Sequence, residues 1–306
     1  MESTNILQLH EQIIITLWYI LALLLCLLGN CFVLHGTTKH RAIKLDKMSV
    51  WIIQNLCVAD LCRGLFNVFP TIITLTTGYT WSTFCTILLA IKYCFIDATS
   101  FFVNALVINK LYRCLVPLAC PPEKWHRLLV TAGGVATSCI YMCITIYQAV
   151  KSTQVSFIQD YMGCAAQGGN EQEKVVSPSV DVILSLLVVI VPITILVFSN
   201  TALLVLARAK GRSQVKRKNV LIILVTTAVF FISNFPYVFW CLNFYNLIHL
   251  FEGRTLVTYT RFTFIVMQTS CFINPFIYYF TNKGFRKFCK KTVIKRSISK
   301  EPGDNV

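Results

Sequence analysis

Seven stretches of the chain are dominated by apolar residues: 13–36, 48–74, 84–109, 128–150, 179–207, 219–245 and 256–280. Each has the roughly 20 residues needed to cross a lipid bilayer as an α-helix. Short polar segments separate them. In lipid an α-helix satisfies its backbone N–H and C=O groups within the segment, so helices are expected throughout. The pattern predicts an all-α membrane protein, a seven-transmembrane helix bundle. Beyond the last run, Asn282 to Lys291 alternates aromatic and basic residues. Phe285 and Phe288 fall on one face there, which predicts a short amphipathic eighth helix with those rings towards lipid. The expected organisation is an extracellular N-terminus over 1–12, the seven-helix bundle over 13–281, and the amphipathic helix and tail over 282–306.

Composition agrees. The chain is 56% hydrophobic and 13% charged, with mean hydropathy +0.64, where soluble domains carry about 25% charged residues. The net charge of +15 changes the picture by its placement: 22 of the 28 Lys and Arg fall in alternate loops and the tail. The positive-inside rule then puts the tail in the cytoplasm and the N-terminus outside, as expected of a plasma-membrane protein. Basic residues flanking spans point to anionic lipid and a cytoplasmic partner, not to nucleic acid. The first run is too long for a signal-peptide core and is read as a retained span. Most of the fourteen cysteines lie inside apolar runs and are read as packing residues. Cys85 and Cys164 are the two expected on the oxidising face, so a Cys85–Cys164 disulfide is expected.

Polar residues inside the runs carry the remaining information. The last run ends with Asn274-Pro275-Phe276-Ile277-Tyr278. The first holds Gly29-Asn30, and the second Asn55-Leu56-Cys57-Val58-Ala59-Asp60-Leu61. Pro192 lies in the fifth, and Phe230 with Pro236 in the sixth. Together, in this order, they resemble the rhodopsin-family (class A) G-protein-coupled receptors over about 13–290. The resemblance implies that Asn30, Asp60, Thr99, Ser270 and Asn274 gather in the bundle interior. In the family such a cluster is a sodium and water site; a plain hydrogen-bond network around Asp60 is the open alternative. No other metal and no cofactor is implied.

The chain departs from the family pattern at the activation positions. Counting from Cys85 aligns Asn109-Lys110-Leu111 with the family's Asp-Arg-Tyr. The visible Tyr112-Arg113 offers a second register that breaks the spacings. Either way the acid is gone, and Lys216-Arg217-Lys218 at the base of the sixth helix offers Lys110 no acidic partner. An ion-pair lock between helices three and six is therefore not expected. Asn200 stands where the family has Tyr, and Asn234 where it has Trp.

At the outer end, Lys92 occupies the position where amine receptors carry Asp, and Gln268 the position of the retinal-linking Lys of opsins. Neither an amine ligand nor retinal is therefore expected. Arg63, Lys92 and Arg261 offer cations for an anionic ligand group; internal neutralisation of Arg63 by Asp60, three residues away, is the alternative. Tyr237 and Trp240 either line a cleft or belong to the interfacial belt. At the inner end Lys110, Arg113, Arg208, Lys216, Arg217, Lys218, Phe285 and Phe288 would face a G protein or lipid, and Cys289 is a lipidation candidate.

These readings point to a cell-surface receptor that binds an extracellular peptide or anionic small molecule. It would signal to a heterotrimeric G protein, with arrestin a further partner. An atypical scavenger or accessory receptor without G-protein coupling is the alternative. No nucleophile–base spacing or phosphate loop suggests an enzyme.

Overall fold

The computed structural model describes residues 2–39, 43, 45–77, 85–115, 123–151, 191–209, 217–250 and 253–298, and every regular element among them is helical. In chain order these are α1 (Glu2–Lys39), α2 (Lys47–Arg63), a π-turn (Gly64–Val68), α3 (Phe69–Thr77), α4 (Cys85–Leu115), α5 (Glu123–Lys151), α6 (Val191–Ala209), α7 (Arg217–Leu250), α8 (Gly253–Thr281) and α9 (Lys283–Ile298). α2, the π-turn and α3 form one continuous rod.

α1 packs on α2, α3 and α8; α4 packs on α2, α5 and α6; α7 packs on α8. The main core lies between α1, α2, α4, α6 and α7, with Ile52, Leu56, Leu106, Leu203 and Ile223 fully or almost fully buried. The outward surface is apolar too: Ile14, Leu28, Phe198, Ile232 and Phe280 are exposed. A belt of this kind fits a lipid solvent. By length and composition His10–Lys39, Lys47–Ile73 and Cys94–Leu115 can each cross a bilayer, and Thr194–Val205 and Leu221–Pro236 are shorter apolar stretches.

Several element boundaries have visible causes. α1 starts at Glu2, well before its apolar run, because no Gly or Pro interrupts its polar first turns. α2 is capped by Asp46, whose carboxylate accepts from the Ser49 N–H at 2.9 Å and from its hydroxyl at 2.9 Å. The π-turn precedes Pro70. Proline cannot donate to the carbonyl four residues back and its ring crowds that carbonyl; here the Phe69 N–H bonds to the Gly64 carbonyl instead, one residue wider than an α-turn. Asn282 forms the joint between α8 and α9. Its N–H donates to the Tyr278 carbonyl, and its side-chain oxygen accepts from the Phe285 N–H at 3.1 Å.

α9 departs from expectation in two respects. It runs to Ile298, further than the alternating segment. Its aromatic face also meets protein, not lipid: Phe285 is buried and packs with Phe288 on Phe32 of α1. Gly36 makes the room, since a Cβ there would lie 2.9 Å from Phe288. The i,i+3 spacing correctly puts the two rings on one face, but the glycine that receives them is about 250 residues away in sequence.

Candidate functional site

The polar residues of the spans meet between α1, α2, α4 and α8. Asp60 is fully buried. Its Oδ2 accepts from Asn274 Nδ2 at 2.9 Å, and its Oδ1 from the Thr99 hydroxyl at 3.2 Å. One carboxylate thus joins three helices. A charge held in this way is costly to insert in lipid, so each of its bonds matters.

Asn30 has a different role from the one expected. It does not bond Asp60; its Nδ2 donates to the Cys271 carbonyl of α8 at 2.8 Å and to the Cys26 carbonyl at 3.0 Å. Cys271 is four residues before Pro275, so its carbonyl is the one that the proline leaves without a helical donor. Asn30 supplies that donor. Its neighbour Gly29 allows the approach, because a Cβ there would lie 2.8 Å from the Pro275 ring. The Gly-Asn pair in α1 is therefore built around the proline in α8. Cys26, one turn earlier, donates from its thiol to the Asp60 carbonyl at 3.2 Å.

Arg63 lies one turn beyond Asp60 and is also fully buried. Its Nη1 donates to Ser270 Oγ at 2.8 Å, and its Nη2 to the Met267 carbonyl at 2.6 Å. Ser270 in turn donates to the same carbonyl at 2.8 Å. The guanidinium and α8 thus close a ring of hydrogen bonds one turn from Asn274. Asp60 lies one turn away on the same helix, and the one ion pair within 4.0 Å among the described residues is elsewhere.

Further along the same rod, Asn67 is buried, and neither side-chain atom has a hydrogen-bond partner among the described residues. Gly64 faces Cys26 of α1, and Phe66 stacks on Phe95 of α4. Arg63 and Asn67 lie one turn apart on the same rod, and Arg63 reaches α8. On α8, Gln268 is buried and its Oε1 likewise lacks a partner. Asn67 was not legible as a site residue, because an Asn in an apolar run carries no motif of its own.

The activation positions make other contacts. Asn200 accepts from Thr227 at 3.2 Å, linking α6 to α7. Asn234 turns back onto its own helix, donating to the Phe230 carbonyl at 2.7 Å. Ser233 and Thr269 join α7 to α8 at 3.2 Å. Tyr278 is fully buried with its hydroxyl unpartnered among the described residues.

At the α9 end, Asn109 Nδ2 donates to Ser49 Oγ at 3.0 Å, and Arg113 pairs with Asp46 at 3.6 Å. The end of α4 is thus tied to the start of α2. This network was missed; Asp46, an N-cap residue type directly before the second apolar run, could have shown half of it. Lys110 is partly exposed beside it.

Most of the other expected residues lie along four of the helices. Cys85 opens α4, Lys92 lies on α4, Pro192 and Arg208 on α6, Arg217, Lys218, Tyr237 and Trp240 on α7, and Arg261 on α8. Their side chains, and Cys164 and Lys216 altogether, lie outside the described residues. Cys289 is half-buried against the core, and burial pushes its thiol pKa up from the ordinary value.

A helical membrane bundle held at a buried Asp beside an Asn-Pro break defines a class of seven-helix receptors. Residues 29–278 match the 7 transmembrane receptor (rhodopsin family). The chain belongs to that family: it is a rhodopsin-family G-protein-coupled receptor and a multi-pass membrane protein. It is also similar to the human (Homo sapiens) C-C chemokine receptor type 8, being 20% identical over 309 aligned residues that cover 97% of this chain and 83% of that protein. Members of the family are receptors, and the family implies an extracellular ligand and a G protein as partners.

Proposed function

We propose that this receptor takes a peptide or an anionic small molecule at the end away from α9 and signals to a heterotrimeric G protein at the α9 end. The orientation follows from the basic residues, which crowd the loops and tail on the α9 side. The observation that carries the ligand class is Asn67, buried with both side-chain atoms unpartnered among the described residues, so that its amide can donate to a carboxylate and accept from a peptide N–H; Gln268 Oε1, likewise unpartnered, is a further acceptor. Likeness to a chemokine receptor supports a peptide in particular. A Cys85–Cys164 disulfide would hold the outer end of α4, and arrestin and a lipid chain on Cys289 belong to the same reading at the other end.

The contact of Asp60 with Asn274 supports a working joint at the break in α8. A scavenger without coupling is the competing reading, favoured by one observation: the end of α4 is tied to α2 through Asn109 and Asp46.

The test is a G-protein activation panel in cells, challenged with libraries of peptides, carboxylates and amines. Activation by a peptide or an anion, reduced in Gln268→Leu, is expected. An amine as the sole activator would overturn the ligand class. Saturable uptake of a peptide with no G-protein response from any subtype would favour the scavenger.

A further inference from the structure

We propose that the Arg63 guanidinium is the resident cation of the Asp60 cluster, and that this receptor has no use for a sodium ion there. The inference concerns the interior of the bundle and stands whether or not the receptor couples to a G protein.

Charge comes first. Guanidinium stays protonated under all ordinary conditions, and Arg63 is fully buried in the span. A buried charge requires a counter-charge and hydrogen bonds. Asp60 is the acid beside it, on the same helix and just as buried. Asp97, on α4, turns to Thr137 of α5. Asp60 is therefore the described acid on the same helix that can balance Arg63, at more than ion-pair distance.

The donor set comes second. A hard cation needs several oxygens with free lone pairs. The oxygens around Asp60 and Ser270 face hydrogen-bond donors instead, and Asn30 Oδ1 is the one buried cluster oxygen without a partner among the described residues. Both Asp60 carboxylate oxygens accept, from Thr99 and from the amide nitrogen of Asn274. Ser270 Oγ accepts from Arg63 and spends its own proton on the Met267 carbonyl, which also accepts from Arg63. A second cation would meet the guanidinium in a medium that screens it poorly. These residues do not fit sodium while Arg63 is in place.

The consequence is a cation tethered to α2. A diffusible ion exchanges with solvent; this one is covalently part of α2 and holds α8 through Ser270 and Met267. The α2–α8 bridge should then be indifferent to which monovalent salt is present.

The experiment is thermal unfolding of the purified full-length protein in NaCl, KCl and N-methyl-D-glucamine chloride at equal ionic strength. Superimposable Tm values in the three salts are expected for the parent. Arg63→Gln and Arg63→Met should each acquire a saturable increase in Tm with sodium over potassium. A saturable sodium-over-potassium increase in the parent would overturn the proposal, as would its absence from a folded Arg63 variant. If neither variant folds, Asp60→Asn is compared with Asp60→Asn/Arg63→Gln. The double variant should be the more stable, since it removes both charges; a double variant no more stable than Asp60→Asn also overturns it.

Discussion

At the residue scale, α8 can contain a proline because α1 is shaped for it. Asn30 supplies a donor to the Cys271 carbonyl, and Gly29 leaves space for the ring. Asn30→Leu should therefore destabilise the protein by about 1–3 kcal/mol, the cost of an unsatisfied buried polar group. Gly29→Val should cost a similar ~1–3 kcal/mol through overpacking. Thermal unfolding in matched detergent measures both. A variant at either position with an unchanged Tm would contradict the fit. Gly29 and Asn30 were legible as family marks, yet their purpose was not. It depends on a proline some 245 residues away, a pairing that no local pattern shows. Asp60 and Asn274 were legible as partners because a buried carboxylate and an Asn-Pro break at matched depth both need a polar neighbour. Asn67 was not, since an Asn within an apolar run belongs to no motif that would mark it.

At the element scale, α9 is docked on α1 and not merely floated on lipid. The dock is Phe285 and Phe288 on Phe32 and Gly36. Phe285→Ala should cost about 3–5 kcal/mol of local stability, the range for a buried aromatic truncation. It should also uncover Cys289. Burial raises that thiol's pKa, so less thiolate is present at a given pH than for a free cysteine. Alkylation should be slow near neutral pH and rise ~tenfold per pH unit below the pKa. Phe285→Ala should shift the whole profile to lower pH. Rates measured on a protein with its other cysteines protected would decide it, and a profile matching that of an exposed thiol in the parent would contradict the dock. The amphipathic pattern gave the helix and the common face of its rings. It could not say what that face meets, because lipid and an apolar neighbour select the same side chains.

At the scale of the whole molecule, the hydrophobic blocks were enough for the bundle, since in lipid few other folds satisfy the backbone. The state of the bundle is harder to read. Lys110 has no acidic partner in the Lys216-Arg217-Lys218 cluster, and the ion pair at the end of α4 runs to Asp46 on the α2 side. With no α4–α7 pair to break, the closed state lacks one stabilising term. Ligand-free signalling should be higher than in a receptor with the full motif. A tenfold shift in population requires only about 1.4 kcal/mol. Lys216→Glu should form a bridge to Lys110 and lower ligand-free G-protein activation at matched surface expression; unchanged or increased activation would contradict the missing lock.

The joint between α2 and α8 is where ligand and G protein would communicate. The most direct measurement is G-protein activation by the parent and by Asp60→Asn, at equal surface expression and across the G-protein subtypes. Asp60→Asn keeps the size of the side chain and removes its charge, weakening the bond to Asn274 and leaving Arg63 without its counter-charge. A receptor that works through this joint should activate at least one subtype, and Asp60→Asn should change that activation about tenfold or more. Equal activation by the two proteins, with equal surface levels, would show that signalling does not pass through Asp60.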